Sequence, residues 1–501
     1  MSRIISLDAI GRTASARKSP GAGAACGSGA GSCSSGGGGE AIPPAVMDRI
    51  REHPCYSEDA HHFFARMHIA VAPACNIQCN YCNRKYDCAN ESRPGVTSTV
   101  LSAEAAEAKV RDVAARLPQL SVVGIAGPGD ALADAARSFR AFERIAAAVP
   151  GLKLCLATNG LALPENVEQI KALGIDHVTI TINAIDPEIG SRIHPWVAFG
   201  GRRLSGIEGA TVLIRQQLEG LERLVAADVL VKVNSVMIPG VNDHHLPAVN
   251  AAIKARGAFL HNIMPLISDP AHGTRFGLDG QRGPTPQELK AMQDSLSGGA
   301  RLMRHCRQCR ADAVGMLGDD TGCEPQSEVA ASQVAAAAAE TPVVPDAEQR
   351  ARYREVVAQE LADRDAASAA VAGALEHVAE PVSMLVAVCT KGGGRINRHF
   401  GHASEFQLFE VDRRGVRLVG HRRAGRYCQG GFGEEDVLDQ VIAALEGVDA
   451  VLCAKIGSCP RERLAEAGIA ASEDYAFQYI EPAVAAFFQD AVGANHRAAS
   501  A

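Results

Sequence analysis

Between residues 67 and 266, short apolar β-rich runs alternate six times with longer amphipathic stretches, and no other property of the chain restricts its fold as strongly. The runs are MHIAVAP, SVVGIAG, LKLCLAT, HVTITIN, VLVKVNSV and FLHNIMPL. Continuous apolar runs of this length suit strands buried on both faces, and the stretches at 103–117, 135–148, 164–173, 213–226 and 246–255 carry helical periodicity. Six successive βα units predict a parallel sheet curled into a partial (βα)6 barrel of the TIM-like kind, with ligands gathered at the C-terminal ends of its strands. After an Ala-, Glu- and Pro-rich stretch a second, shorter βα pattern begins. SMLVAVCT, FQLFEVD and DAVLCAKIG are its strands, and 434–445 and 482–488 its helices, giving a small α/β domain. The expected boundaries are a Gly/Ser/Ala-rich disordered tail at 1–45, a first domain at 46–323, a linker with one helix near 347–377 at 324–380, a second domain at 381–492 and a tail at 493–501.

Fifty basic side chains against 57 acidic ones leave no electrostatic footprint for nucleic acid. Neither a membrane-spanning apolar run nor the layout of a secretory signal is present, so a cytoplasmic protein is expected. A reducing compartment turns attention to metal and redox chemistry for the 15 cysteines. Eight of them fall between Cys55 and Cys309, mostly beside polar or glycine residues.

The sharpest of these is Cys75-Asn-Ile-Gln-Cys79-Asn-Tyr-Cys82, directly after the first strand. Three thiolates within eight residues can take three corners of a cubane and leave the fourth iron without a protein ligand. A structural zinc loop is the alternative, and it normally needs a fourth ligand. This CxxxCxxC loop resembles that of the radical S-adenosylmethionine (SAM) enzymes, whose open iron chelates SAM and delivers the electron that breaks its sulfonium bond. The likeness implies SAM contacts at the Ala126-Gly127-Pro128-Gly129-Asp130 turn, where glycines admit a ligand and the acid can take its ammonium group. It implies others at the strand-end polar residues Thr179, Thr181, Asn183, Asn234 and Ser235.

Cys55, Cys88, Cys155, Cys306 and Cys309 exceed what such an enzyme requires. Together with His53-Pro54-Cys55, Glu91-Ser92-Arg93-Pro94, the AGPGD turn, TITIN and Cys306-Arg-Gln-Cys309-Arg310-Ala-Asp312, they resemble the NifB family of nitrogenase cofactor biosynthesis enzymes over residues 50–316. The family likeness implies two further [4Fe–4S] clusters as substrates, fused around a carbon from the SAM methyl group, with an added sulfur, into an eight-iron cofactor precursor. One would sit on Cys55, Cys155 and His68, with His53 competing for the histidine position, and the other on Cys88, Cys306 and Cys309. Glu91 and Arg93 would orient clusters or relay protons. The implied partners are iron–sulfur donors, cofactor-carrier or scaffold proteins of nitrogenase assembly and a protein reductant.

The motif Asn397-Arg398-His399-Phe400-Gly401-His402 makes the second domain resemble the NifX/NafY cofactor carriers, of ribonuclease H-like fold, with His399 as the implied cluster contact. Two other readings stand beside this one: a radical SAM enzyme that uses auxiliary clusters to modify a peptide or small molecule, and a non-catalytic iron–sulfur scaffold.

Overall fold

A computed structural model describes residues 42–85, 93–296, 298–306, 308–316, 347–375, 378, 382–425, 427–429, 432–433 and 435–499. The chain divides after Arg354 into two compact units.

In the first unit, all six expected strands form and pair in parallel: β1 (Ala65–His68), β2 (Leu120–Ile125), β3 (Lys153–Thr158), β4 (His177–Thr181), β5 (Leu230–Met237) and β6 (Leu260–Pro265). A two-residue strand, β7 (Val314–Gly315), adds antiparallel to β1, so the order is β7-β1-β2-β3-β4-β5-β6. The curled sheet is a half-barrel, as its six βα units require. Helices Ala103–Arg116, Ala135–Ala148, Leu163–Ala172, Gly206–Ala226 and Leu246–Ala255 cover its outer face. Val123, Leu156, Val178 and Val231 pack outward against Phe142, Ile170 and Leu224 of those helices in one continuous core. At about 25 cal/mol per Å² of apolar surface removed from water, this layer is the main favourable term in the unit's folding.

The strand expected over 67–73 instead occupies Ala65–His68, and the residues after it turn inward as an irregular segment. The helix expected from Leu213 begins seven residues earlier at Gly206, because Gly206 and Gly209 interrupt the apolar pattern without interrupting the helix. A Cβ on Gly209 would stand 2.9 Å from the Leu204 carbonyl oxygen, so that glycine lets the helix pack on the hairpin Trp196–Phe199/Arg202–Ser205.

In the second unit, strands β8 (Ser383–Val388), β9 (Glu405–Asp412), β10 (Gly415–Arg423), β11 (Ala450–Leu452) and β12 (Ala470–Ser472) run in the order β10-β9-β8-β11-β12. β8, β9 and β10 are antiparallel, while β8, β11 and β12 are parallel, the ribonuclease H-like arrangement. Period-two alternation sends Met384, Val386 and Val388 to one core and Ala387 and Cys389 to the other. The helix expected at 482–488 is longer, spanning Ile480–Ala499. Among the described residues no helix is long and apolar enough to cross a membrane.

Candidate metal and cofactor site

The three-cysteine loop leaves β1 and is held in place by the hairpin. Ile77 and Gln78 pair antiparallel with Val197 and Trp196, and the Gln78 amide donates to the carbonyls of Cys79 (2.9 Å) and Cys82 (3.0 Å). On the opposite side of the loop, the Gly129 and Asp130 N–H groups donate to the Ala72 and Ala74 carbonyls, both at 2.7 Å. A Cβ on Gly129 would fall 2.0 Å from the Ala74 oxygen. The glycine is therefore required by the chain's own backbone, whereas the sequence suggested room for a ligand. Gly129→Ala is expected to displace residues 72–74. Melting should report at least the ~1–3 kcal/mol of an overpacked site, and iron assays should report weaker retention at the loop.

Asp130, like Gly129, lines the cavity on which the thiols converge. It is buried, with Oδ1 accepting from Leu132 N–H (2.9 Å) and Thr158 Oγ1 (3.0 Å), and Oδ2 from Asn159 N–H (2.5 Å). Three of its acceptor positions are thus taken, one by the last residue of β3 and two by the backbone at Leu132 and Asn159. Thr179, Thr181 and Asn234 do face the cavity described next, but Ser235 and Asn183 do not. Ser235, one residue on from Asn234, points to the other face of β5, where it bonds His261 Nε2 at 2.9 Å. Asn183 lies past the end of β4 and binds Tyr81 Oη and Val236 N–H. Gly127 also stands behind the wall, its Cβ position 3.4 Å from Ala311.

Every described cysteine of the first unit lines one cavity of about 300 Å³: Cys55, Cys75, Cys79, Cys82, Cys155, Cys306 and Cys309. They arrive from the segment before β1, the loop after it, the middle of β3 and the segment after β6. Among the described residues no three His, Cys, Asp or Glu side chains are gathered tightly enough for a single metal ion. The thiols are instead distributed around the walls.

Burial pushes the Cys75 thiol up to about 11, with nearby Asp130 adding to the shift. Burial raises Cys79 well above the usual thiol value, and Cys82 and Cys75 reinforce it. Cys82 is also raised by burial, against the pull of Arg84 and Arg93. Three crowded, buried thiols that resist ionisation call for a strongly cationic partner to stabilise them as thiolates.

Two further thiols carry donors. Asn262 Nδ2 lies 3.1 Å from Cys306 Sγ and 3.1 Å from Asn234 Oδ1, and the fully buried Arg66 reaches Cys309 Sγ at 2.9 Å. Arg310 and Asp312, following the CxxC, form a buried bidentate pair that also binds Ser98, tying this segment to the stretch before the helix Ala103–Arg116.

His68 lines the cavity and His53 does not. In the parallel ladder Gly124 stands between His68 and Cys155, and its Cβ would lie 3.5 Å from the His68 ring and 3.6 Å from Cys155 Cβ. The glycine keeps the wall between those two side chains bare. His68 Nδ1 is 3.1 Å from the Arg310 carbonyl, so a proton there leaves the Nε2 lone pair available as a ligand. His53 is packed against the rings of His177 (4.4 Å) and Tyr56 (4.6 Å), and its Nδ1 accepts the Cys55 N–H.

Arg93 lines the cavity, while Glu91 and Cys88 lie outside the described residues. Sequence reasoning passed over Arg66, Asn262 and Lys232. Only Lys232 had a visible signal, a lone cation within the apolar run of β5.

In the second unit His399 caps the turn Phe400–His402, its Nδ1 accepting the Gly401 N–H at 3.0 Å, and its ring lies 4.8 Å from that of His402. Asn397 shapes the same loop through Lys391 N–H and the Gly392 carbonyl. Cys389 and Cys453 are buried in the core and Cys459 is exposed.

Residues 69–251 match the radical SAM superfamily, and residues 382–490 match the dinitrogenase iron–molybdenum cofactor family. The chain is 55% identical over 475 residues to the FeMo cofactor biosynthesis protein NifB of Herbaspirillum seropedicae, covering 94% of this chain and 87% of that one. It is 54% identical over 496 residues to the protein of that name from Sinorhizobium fredii, covering 96% of each. To that of Rhodobacter capsulatus it is 56% identical over 451 residues, covering 90% of this chain and 98% of the other. Near full-length identity at this level, with the radical SAM match falling on the half-barrel that carries the thiol-lined cavity, places the chain in the NifB family of radical SAM enzymes.

Proposed function

We propose that this enzyme makes the eight-iron precursor of the nitrogenase iron–molybdenum cofactor by fusing two [4Fe–4S] substrate clusters around a carbon taken from the SAM methyl group, with one sulfur added. The observation that carries this reading is the convergence of seven cysteines on a single cavity, four more than the SAM-binding loop uses.

Cys75, Cys79 and Cys82 are the residues that would hold the resident cluster, and their closely spaced thiols, each raised first by burial, are a donor set that fits it. When bound, that cluster together with SAM supplies the electron that opens the sulfonium and the radical that activates the methyl carbon. The chain contributes placement and exclusion of water. Thr179, Thr181 and Asn234 present polar groups on the β4–β5 wall for SAM, and Ile125, Val236, Met264 and Leu266 supply apolar surface that keeps water from a reactive carbon.

Cys55, Cys155 and His68 would grip one substrate cluster. Cys306 and Cys309, with Cys88, would grip the other. A neutral imidazole is a weaker iron ligand than a thiolate, which suits a cluster that must later leave. Arg66 and Asn262 donate to the second set, easing its negative charge without binding metal. Arg93, on the cavity wall, is placed to orient a cluster. His399 would then contact the finished product in the second unit, where local transfer is favoured by covalent attachment. Iron–sulfur donors, cofactor carriers and a protein reductant would be the partners.

The test is anaerobic reconstitution of the full chain, followed by iron counting and a 5′-deoxyadenosine assay. Three clusters per chain with SAM cleavage are expected. Cleavage with only one cluster would indicate a simpler radical SAM enzyme, and clusters without cleavage a scaffold.

A further inference from the structure

Lys232 stands in the middle of β5, only 7% exposed, and its side chain lines the thiol cavity. Its ammonium is 3.4 Å from the Cys55 carbonyl oxygen and 5.2 Å from the centre of the Tyr56 ring. Tyr56 is itself fixed, its hydroxyl donating to the Val178 carbonyl at 3.0 Å, so the ring forms a rigid seat for the cation. Among the described residues no carboxylate pairs with Lys232. A carbonyl and a ring face are weak compensation for an ammonium taken out of water, and two of its three N–H donors have no stronger acceptor than these. A buried cation on a cavity wall without a protein anion is suited to an anion that enters the cavity.

Its neighbours indicate which anion. Lys232 shares the cavity wall with Cys55, Cys155, Cys306 and Cys309, and Asn234, two residues further along the same face of β5, accepts from the Asn262 amide that also meets Cys306. Those thiols belong to different sets: Cys155 and Cys55 on one side, Cys306 with Cys309 on the other. Arg66 and Asn262 donate to the second set. Lys232, on the strand between β4 and β6 and 3.4 Å from the Cys55 carbonyl, lines the cavity together with both sets.

Resting on the proposed function, we infer that Lys232 is a positioning residue whose ammonium lies between the two anionic substrate clusters and offsets the repulsion that would keep them apart. Two thiolate-ligated clusters in a low-dielectric cavity repel strongly, and a fixed positive charge between them lowers that cost for both at once. The residue needs to lose no proton and contact no reacting carbon for this role.

The experiment uses the full chain, wild type beside Lys232→Met and Lys232→Arg, reconstituted anaerobically with iron and sulfide. Iron loss to a chelator and the reduction midpoints of the clusters are then followed. Lys232→Met is expected to keep the SAM-perturbed signal of the resident cluster but to lose auxiliary iron roughly tenfold faster or more, since removing one member of a buried charge pair is costly. The auxiliary midpoints should also fall, because the lost positive charge favoured the reduced, more anionic state, and a merely structural role would not move them selectively. Lys232→Arg should stay near wild type in both readouts. Wild-type retention and midpoints in Lys232→Met would overturn the inference. If Lys232→Met does not accumulate as folded protein, Lys232→Arg decides: near-wild-type values support the role of charge, and a tenfold loss refutes it. Should wild type itself hold only one cluster, the proposed function fails before the Lys232 inference is reached.

Discussion

Replacing Cys79 with alanine is expected to abolish 5′-deoxyadenosine formation while leaving the fold intact. Cys79 is the middle thiol of the loop, partly buried beside Ile77, Leu161, Val197 and Leu213 on the cavity wall. The Gln78 bonds to the loop carbonyls and the Ile77–Val197 pairing remain in the variant, so the loop keeps its path. Changes one shell out from a metal cost about 10–100-fold, and loss of a direct ligand is expected to exceed the upper end of that range. Deoxyadenosine measured by chromatography, beside a melting curve within a few degrees of wild type, checks both parts. Cleavage within tenfold of wild type would mean that the loop does not hold the SAM-binding cluster.

Cys306→Ala is expected to give the opposite dissociation: SAM is still cleaved, but no eight-iron product forms. Cys306 approaches the cavity from the segment after β6, away from the three-cysteine loop, so its removal leaves that loop's anchors untouched. It strands the Asn262 amide, which retains only Asn234 as a side-chain acceptor. Asn262→Ala keeps the thiol and loses only its donor, so a smaller fall of about 10–100-fold in product is expected. Product extracted from each variant and quantified by its iron content is the measurement. Equal product from Cys306→Ala and wild type would remove this cysteine from the second substrate site.

Much of this was legible in the residue order. Parallel strands buried on both faces appear as unbroken apolar runs; five of the six formed where those runs lie, and the first begins two residues before its run and ends at His68. The strands that escaped notice have other patterns. Val314–Gly315 is too short to show a period, and Gly415–Arg423 carries three arginines and a histidine on a strand whose partner shifts register near Leu408. The three-cysteine spacing announced itself, because a cluster loop is local in sequence.

The rest of the cavity is not local. Arg66 and Cys309 are 243 residues apart, and the pairing of β7 with β1 brings them to 2.9 Å. His68 was preferred to His53 only through the family likeness, whereas the backbone turns one toward the cavity and the other into a cluster of rings. Ser235 is a different case. With Lys232 and Asn234 facing inward, period-two alternation already excluded it, and its polarity outweighed its parity in the reading. The bonds of Asp130 and Gly129 to Ala72, Ala74, Thr158 and Asn159 join segments distant in sequence and show only in the folded chain.

The central claim is that one cavity brings a SAM-derived carbon to two iron–sulfur clusters and joins them. Supplying SAM labelled with carbon-13 at the methyl group to the anaerobically reconstituted chain, and examining the extracted eight-iron product by electron-nuclear spectroscopy, addresses it directly. A carbon-13 coupling to iron in that product is the predicted result. A product without the label, or label recovered only in a methylated peptide or small molecule, would contradict the account.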